Sequence, residues 1–349
     1  MFAHWMQFVA SDMVNVVETQ ALIDGNVRSF PCCRNSFTHP ECDAIDVPKA
    51  DPAFRNRITC LPHTRSIVAP KAGCALGPRE QANLVSSYLD GSVIYGSSAE
   101  RAKKLRTLNH GTLRTQGSVG DLPQVDNKLK CQSEGRCLFS GSDDANILPG
   151  VGALHTIFVK QHNRVAQLLR EINRHWSDAK LFDETRRIVV AQLQHITFNE
   201  FLPIMLGKEN IRKYGLNLHQ SGFDSDYDMA IDGAVLNEFA VTFPYVLWSL
   251  MPQDKLFNAF NNPSKLYESR GVETVLKQLM AITIAKPSLR VNDEVKNEFL
   301  KDSYGIGLDL ISIALKQGRD HGIPSYTVVR AQCGLGKVLK PLKAPLTQG

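Results

Sequence analysis

Two short motifs contain the residue types that general acid–base chemistry uses. One is His162-Asn163-Arg164, and the other is Arg319-Asp320-His321-Gly322. An imidazole can gain or lose a proton near neutral pH, and a neighbouring Arg or Asp can hold a charged group or orient the ring. Each motif looks catalytic when it is considered alone. Whether each motif has a catalytic role or a role in packing therefore depends on the structural elements in which it lies.

Eight cysteines form a second group with distinctive chemistry. Seven of them lie between Cys32 and Cys137, most in a loop-like stretch rich in Pro, Asn and Asp. The spacing shows neither CxxC pairs nor a clean alternation of Cys and His, which disfavours a zinc site. We interpret the stretch as a disulfide-bonded region of a secreted protein. Reduced thiols in a cytosolic protein are the alternative.

The composition is that of a globular protein. The 349 residues are 43% hydrophobic and 21% charged, with a formal net charge of +5. The basic residues are scattered, which argues against nucleic acid as a partner. No apolar stretch approaches the roughly 20 residues that span a bilayer. The first residues also lack the pattern of a signal peptide, so we expect the N terminus of a secreted protein to lie upstream of Met1.

The middle of the chain is predicted to be helical. Apolar residues in 153–172 recur with the 3.6-residue period of an amphipathic helix. A second helix is predicted over 183–199, where an acidic first turn suits the helix dipole. Further helical patterns cover 228–251, 272–283 and 293–316. Because strand signals are few, the predicted class is mainly α.

Long segments of the sequence resemble the animal haem peroxidase family, and most of all its peroxinectin-like and chorion-peroxidase-like branch. The segments are HTIFVKQHNRVAQLL at 155–169, RRIVVAQLQHITFNEFLPIMLG at 186–207, GLDLISIALKQGRDHGIPSYTVVRAQCGL at 307–335, SSYLDGSVIYGSS at 86–98, and the cysteine-rich stretch from Pro31 to Cys74. The resemblance implies one large helical domain over 1–349, with few short strands and haem between central helices. It also implies that the domain is truncated at both ends.

The resemblance places the distal side of a haem pocket in two stretches. Gln7 matches a Gln of the family, whereas Ala10 stands at an ester-forming Asp and Ser11 at the distal His. Asp144 corresponds to the distal Arg, and Ile147 to an ester-forming Glu. Serine does not titrate near neutrality and cannot shuttle a proton as His does. Asp144 puts negative charge where peroxide cleavage needs a cation.

The proximal side implied by the resemblance is altered as well. The run EFAVTFPYVLWSL at 238–250 matches without a gap and places Trp248 at the iron-binding His, with Pro244 and Tyr245 at a Phe-Arg pair. Ala314 corresponds to the Asn that orients that His. An indole offers only an N–H donor and cannot coordinate iron as imidazole does. A gene-model or splicing error is the alternative explanation, which the gapless matching disfavours.

One site of the family is kept at every position. The resemblance implies a calcium ion held by Asp12, Ser86, Tyr88, Asp90 and Ser92. Two carboxylates, two hydroxyls and backbone carbonyls form the all-oxygen set that a hard cation prefers. The alternative is an ordinary turn, since Asp-Gly-Ser is a common turn sequence. Calcium would tie the N-terminal helix to the loop.

We interpret the sequence as a secreted, haem-peroxidase-like protein that has lost peroxidase activity. It would act as a binding, adhesion or matrix protein with an unknown protein or matrix partner. His155, His162 and His195 then match scaffold positions of the family rather than its iron ligand. A peroxidase that binds haem through a non-standard ligand is the alternative, and a degenerate product that does not fold is a third. Calcium is the expected cofactor, whereas haem is implied by the family alone.

Overall fold

The computed structural model of the protein is built mainly from α-helices. It describes residues 1–23, 26–33, 39–54, 57–71, 73, 76–126, 136–219, 221–222, 225, 227–251, 263–288, 290–297, 299 and 306–336. The helices are Phe2–Met13 (α1), Ser92–Tyr95 (α2), Ala99–Leu105 (α3), Pro149–Ile172 (α4), Asp178–Ile196 (α5), Leu202–Leu206 (α6), Lys208–Lys213 (α7), Asn237–Leu250 (α8), Gly271–Ala281 (α9), Asp293–Asn297 (α10), Leu310–Asp320 (α11) and Tyr326–Gln332 (α12). The prediction of a mainly α class is confirmed.

Short antiparallel pairs of strands account for the β structure of the described residues. The strands are Gln20–Ile23 (β1), Asn26–Ser29 (β2), Ile45–Asp46 (β3), Cys60–Leu61 (β4), Gln124–Asp126 (β5) and Arg136–Leu138 (β6). β1 pairs with β2, β3 with β4, and β5 with β6. In the second pair, Ile45 lies opposite Leu61. These small ribbons fasten loops and do not form a separate layer of the core.

Helix α1 lies at the centre of the hydrophobic core. Every residue from Ala3 to Asp12 is buried, including the polar residues. A helix that is buried on all sides must be surrounded by other elements. α4 and α8 both pack against α1, and α11 packs against α8. The first stretch of the sequence is therefore an interior element of the fold.

The long central helices were predicted with differences at their ends. α4 and α9 confirm the helices predicted over 153–172 and 272–283. α5 begins at Asp178, earlier than predicted, because the Ser177 hydroxyl accepts a hydrogen bond from the Lys180 amide at 3.3 Å and caps the helix. α8 covers only the second half of the helix predicted over 228–251.

The single helix predicted over 293–316 is wrong. Two separate helices, α10 and α11, occupy this part of the chain. The Asp309 carboxylate caps the second helix by accepting hydrogen bonds from the amides of Ile311 and Ser312 at 2.9 and 3.2 Å. Before this cap, Leu308 pairs with Phe299 in an isolated antiparallel bridge, which requires extended backbone. The apolar period therefore continues across a break in the helix.

The disulfide-bearing N-terminal region is confirmed. The disulfides link Cys32 to Cys42 and Cys33 to Cys60. Cys137 is also disulfide-bonded, and Cys333 is exposed with a free thiol. The predicted cysteines Cys74 and Cys131 lie outside the described residues. Among the helices that the structure describes, none has the length and apolar character needed to cross a membrane.

Candidate functional site

A cavity of about 360 Å³ lies beside the central helix α1. Its walls come from α1, α8, α11, the chain that follows α1, and the 3₁₀ turn Asp143–Asn146 with the residue after it. The described residues that line it are Gln7, Ala10, Ser11, Val14, Asn15, Val16, Val17, Glu18, Asp144, Ile147, Ala240, Pro244, Tyr245, Trp248, Phe299, Leu308, Leu310, Ile313 and Gln317. This volume is within the range of pockets that bind small molecules.

The helical period explains why each wall presents these side chains. On α1, Gln7, Ala10 and Ser11 are spaced by three and four residues and share one face. On α8, Ala240, Pro244 and Trp248 follow the same rule at intervals of four. Side chains that are far apart in the sequence therefore meet at one place because three helices turn the same kind of face inward.

The structure brings together most of the residues that the resemblance assigned to the haem pocket. Those on the cavity wall are Gln7, Ala10, Ser11, Asp144, Ile147 and Trp248. Ala314 lies on α11 between two lining residues, Ile313 and Gln317, but is not itself part of the described wall. The two faces expected from the sequence, distal and proximal, thus lie on one cavity.

The polar side chains of the cavity are only partly hydrogen-bonded. The Gln7 amide donates from Nε2 to the Ser11 hydroxyl at 3.1 Å. Gln7 is 7% exposed, and its Oε1 atom is buried with no hydrogen-bond partner. Most buried polar atoms in native proteins have a partner, so a lone acceptor on a cavity wall indicates a place where another molecule can donate a hydrogen bond.

Tyr245 is the aromatic hydroxyl of the cavity. Its Oη atom donates to Gln317 Oε1 at 2.6 Å, which joins α8 to α11. Burial raises the pKa of Tyr245, and the nearby negative charge of Glu18 raises it further. The phenol therefore stays protonated throughout the physiological pH range.

The charge of the cavity is negative. Glu18 and Asp144 contribute carboxylates to the wall, while the described lining contains no Lys, Arg or His. The Glu18 side chain is fixed in place, because its Oε2 atom accepts hydrogen bonds from the Thr64 amide and hydroxyl at 3.3 and 3.2 Å. The described wall therefore favours a positively charged or neutral occupant over an anion.

The residues present do not fit the haem that the resemblance implies. Proteins hold haem iron with His, Cys, Met or Tyr, and Tyr245 is the one such residue on the described wall. A tyrosine binds iron as phenolate, yet the surroundings of Tyr245 raise its pKa and occupy its hydroxyl. The negative wall also offers no described cation for the carboxylates of haem. Trp248, which the resemblance assigns to the position of the iron-binding imidazole, is buried.

The expected calcium residues form a connection between α1 and the loop before α2. Asp12 is fully buried, and its carboxylate accepts hydrogen bonds from the Gly91 amide at 3.0 Å, the Val93 amide at 3.0 Å and the Ser92 hydroxyl at 2.9 Å. Burial raises the pKa of Asp12 to about 6, against the opposing effect of these hydrogen bonds. The carboxylate is thus held by neutral donors, at the point where the resemblance places a cation.

The other expected calcium residues lie in the same loop. The Asp90 carboxylate accepts a hydrogen bond from the Ser92 amide at 3.0 Å, and its second oxygen lies 3.9 Å from the Arg186 guanidinium. The Ser86 hydroxyl accepts from the Tyr88 amide at 3.2 Å. Within the described residues, no group of three or more His, Cys, Asp or Glu side chains is arranged to hold a metal ion. The structure therefore brings the loop to Asp12 but does not establish a calcium site.

The histidines of α4 serve the scaffold. His162 bonds through Nδ1 to the Tyr95 hydroxyl at 3.0 Å and through Nε2 to the Gly111 carbonyl at 2.8 Å. His155 bonds through Nδ1 to the Ser140 hydroxyl at 2.8 Å. Burial lowers the pKa of His155 to about 3 and that of His162 to about 4. Both rings are therefore neutral, and the described cavity lining includes neither. His195, on α5, is exposed.

The second histidine motif also holds segments together. Asp320 pairs with the Arg65 guanidinium and accepts a hydrogen bond from the Ser66 amide at 2.9 Å. His321 bonds through Nε2 to the Ser66 hydroxyl at 2.8 Å and through Nδ1 to Asn237 Oδ1 at 3.1 Å. These contacts connect the end of α11 with the loop at residue 66 and the start of α8. The residues of this motif therefore stabilise the fold by linking these segments.

Three polar residues of the cavity, Asn15, Glu18 and Gln317, were not predicted from the sequence. Gln317 lies seven residues after Leu310 on α11, so the helical period of that stretch could have identified it. Glu18 follows α1 in irregular backbone, where no periodic signal exists. Tyr245 was noted only as a replacement for an Arg, and its hydrogen bond to Gln317 could not be read from the sequence.

Comparisons with known proteins agree on one family. The sequence model of the animal haem peroxidase domain matches residues 1–342. Chorion peroxidase of Aedes aegypti is 29% identical over 363 residues, which cover 97% of this chain and 46% of that protein. Eosinophil peroxidase of Mus musculus is 30% identical over 369 residues, which cover 97% of this chain and 50% of that protein. The chain thus spans about half the length of these two curated relatives.

The chain also resembles solved structures. Peroxidase A from Dictyostelium discoideum superposes with a TM-score of 0.76 at 27% identity, covering 97% of this chain and 66% of that one. A fatty acid alpha-dioxygenase of Oryza sativa superposes with a TM-score of 0.67 at 19% identity, covering 96% of this chain and 58% of that one, which is a likeness of fold alone.

Proposed function

The chain belongs to the animal haem peroxidase family, and from that premise we propose that it is a pseudoperoxidase. It keeps the fold of the family, has lost the peroxide chemistry, and acts by binding a protein or matrix partner. The observation that supports the proposal is the cavity wall, which brings together Ser11, Asp144 and Trp248, the residues at the positions that the resemblance assigns to the distal His, the distal Arg and the iron ligand. No single compensating change restores a base, a cation and an iron ligand together.

The chemistry that is missing can be stated step by step. Peroxide cleavage needs a base that removes a proton from hydrogen peroxide, and a hydroxyl such as that of Ser11 does not titrate near neutral pH. It also needs a positive charge to stabilise the departing oxygen, and Asp144 would repel that oxygen. A carboxylate of the wall, Glu18 or Asp144, can accept a proton, but the described wall has no cationic side chain for the second step, and both carboxylates oppose the developing negative charge.

Secretion is part of the proposal. Two disulfides link Cys32 to Cys42 and Cys33 to Cys60, and Cys137 is also disulfide-bonded. Disulfides persist in oxidising compartments and are rare where glutathione keeps thiols reduced. An extracellular protein without turnover would act through its surface, which supports a binding, adhesion or matrix role.

Calcium is proposed as a structural ion. The support is that Asp12, Asp90 and Ser92 meet at the start of α2, with Ser86 and Tyr88 in the same loop. A cation at this point would compensate the buried charge of Asp12, whose pKa burial raises to about 6. Its role would be to fasten α1 to the loop.

A haem-dependent peroxidase with unusual ligation is the second candidate. Tyr245 favours it, because tyrosine is a haem ligand in some proteins and this hydroxyl lies on the cavity wall. The raised pKa of Tyr245 and its hydrogen bond to Gln317 oppose it. The pseudoperoxidase is therefore the better supported function.

A peroxide-dependent oxidation assay tests the proposed function. The secreted protein is incubated with equimolar haemin, and oxidation of a phenolic donor is compared with the rate for haemin alone. Eosinophil peroxidase, assayed in parallel, is the positive control. We expect no rate above that of free haemin. A higher rate that a Tyr245→Phe variant abolishes would overturn the proposal in favour of the second candidate.

A further inference from the structure

The cavity beside α1 has kept a ligand-sized volume although its wall no longer suits haem. Its volume of about 360 Å³ is comparable to pockets that bind small organic molecules. A core that had only lost its ligand would be expected to collapse around larger apolar side chains, because interiors pack densely. The features of this wall indicate which class of molecule fits it. The inference rests on the proposed loss of haem binding.

Two hydrogen-bond acceptors of the wall lack their usual donors. Gln7 Oε1 is buried and without a partner. On α8, Pro244 has no backbone N–H, so the Ala240 carbonyl four residues earlier loses its helical donor. Both residues line the cavity. Acceptors of this kind are satisfied by a ligand that carries N–H groups.

The negative charge of the wall favours a positively charged ligand. Glu18 and Asp144 contribute carboxylates, and the described lining contains no cationic side chain. Glu18 is oriented by its hydrogen bonds from Thr64 at the edge of the cavity. An ammonium group is both a cation and a triple N–H donor, so it satisfies the charge and the acceptors at once.

The remaining wall is apolar and aromatic. Trp248 and Tyr245 present their rings from α8, and Ile313 and Leu310 face them from α11. Aromatic faces attract cations and also pack well against other rings. The body of the ligand is therefore apolar, with a size set by the cavity.

We propose that the former haem cavity binds a small organic ammonium ion with an aromatic or aliphatic body. The ammonium group lies toward Glu18, Asp144 and Gln7, and the body packs against Trp248 and Ile313. The pseudoperoxidase would then recognise a small-molecule amine in place of haem.

Three probes of one shape and different charge test the proposal. They are 2-phenylethylammonium, 2-phenylethanol and 3-phenylpropionate, each titrated into the unmodified protein by calorimetry. We expect one saturable site for the ammonium ion, with affinity at least about tenfold above that of the alcohol and the carboxylate. Equal affinity for the three probes, a preference for the carboxylate, or no saturable binding would overturn it.

Variants locate the site. Glu18→Gln combined with Asp144→Asn keeps shape and removes both charges, and should lower the affinity for the ammonium probe at least about tenfold. Glu171→Gln, at an exposed position of α4, is the matched control and should bind like the unmodified protein. Unchanged binding in the double variant would place the site elsewhere and overturn the proposal.

A haemin titration of the same preparation separates the two proposals. Stoichiometric haem binding would contradict the loss of haem and, with it, this inference. No haem binding, together with equal affinities for the three phenyl probes, would overturn the inference while leaving the pseudoperoxidase intact.

Discussion

The region around α4 and the cavity beside α1 contain similar polar residues, but the hydrogen bonding of these residues differs. Near α4, Ser140 and His162 are buried and hydrogen-bonded to defined partners. In the cavity, Ser11 receives one bond from Gln7, and Gln7 keeps an acceptor without a partner. The side chains of Ser140 and His162 thus have two partners each, although His155 Nε2 in the same region has none, as Gln7 Oε1 has none in the cavity. The residues that hold the scaffold together near α4 are therefore different from those that line the cavity.

The junction of Asp12 with the loop before α2 belongs with the scaffold. Its carboxylate accepts three hydrogen bonds, and the Ser92 hydroxyl also donates to the Asp12 carbonyl at 2.9 Å. Only one residue separates it from the family position of Ala10. The residues that the resemblance marks as kept, Gln7 and Asp12, and as altered, Ala10 and Ser11, therefore lie on the same helix.

The largest effect is expected at Gly141, beside the altered turn. A Cβ atom there would overlap the backbone of Ser92 and Val93, so Gly141→Ala should lower the free energy of unfolding by about 3 kcal/mol. Urea unfolding measures the change. Asp144→Asn, three residues away on the cavity wall, is the comparison and should cost less than about 1 kcal/mol. Equal losses of unfolding free energy in the two variants would contradict the claim that the scaffold is more tightly constrained than the cavity wall.

The next largest effect is expected on the pH dependence of stability, through the buried side chain of His162. Burial and the Arg106 charge lower the pKa of His162 to about 4, below the ordinary value near 6.5. The neutral ring therefore stabilises the fold above pH 6.5, and this contribution is lost as the pH falls toward 4. Between pH 7 and 5 the loss should be about 2 kcal/mol.

The variant His162→Gln isolates this effect. Unfolding is measured at several pH values for the variant and the unmodified protein. The variant should be less stable at pH 7, and its stability should fall about 2 kcal/mol less between pH 7 and 5. Parallel pH curves for the two proteins would show that His162 is not the neutral, buried group described above.

Calcium should have a smaller effect through the loop at Asp12. Millimolar calcium is expected to raise the free energy of unfolding by about 1 to 2 kcal/mol, since it binds the folded state only. Asp12→Asn should abolish the increase, whereas Asp183→Asn, at an exposed position of α5, should preserve it. Thermal unfolding in calcium and in chelator measures the shift. No shift in the unmodified protein would leave Asp12 with its neutral donors as a purely structural residue.

The smallest effect is expected on the cavity wall itself. Ser11 and Ser140 are both buried, but the Ser140 hydroxyl bonds to His155 and the Val93 carbonyl, whereas the Ser11 hydroxyl accepts a hydrogen bond from Gln7. Ser140→Ala should cost about 2 kcal/mol, and Ser11→Ala about 0.5 kcal/mol. Urea unfolding of the two variants compares them. A larger cost at Ser11 would mean that the cavity is as tightly constrained as the scaffold.

The sequence was sufficient to predict the parts of the fold that repeat a local rule. The period of apolar residues identified α4 and α9, and the cysteine-rich composition identified the N-terminal disulfides. The resemblance named residues in three distant stretches that the structure places on one cavity. Their assignment to positions of a haem pocket stays a prediction.

Local rules failed where a cap or a tertiary contact determines the structure. The apolar period of 293–316 continues across the extended backbone at Leu308 and the cap at Asp309, so period alone could not locate the break. Glu18 reaches the cavity from irregular backbone because Thr64 holds it there, a contact between residues 46 positions apart. Such placement depends on the folded chain and leaves no periodic signal.

An absorbance titration with haemin tests the central claim most directly. The purified protein is titrated with haemin, and the Soret band is followed against a blank that contains haemin alone. Because the resemblance assigns Trp248 to the position of the iron ligand and Asp144 to that of the cation, we expect no saturable Soret shift. A shift that saturates at one haem per chain would contradict the claim, and would show that this cavity still holds the cofactor of its family.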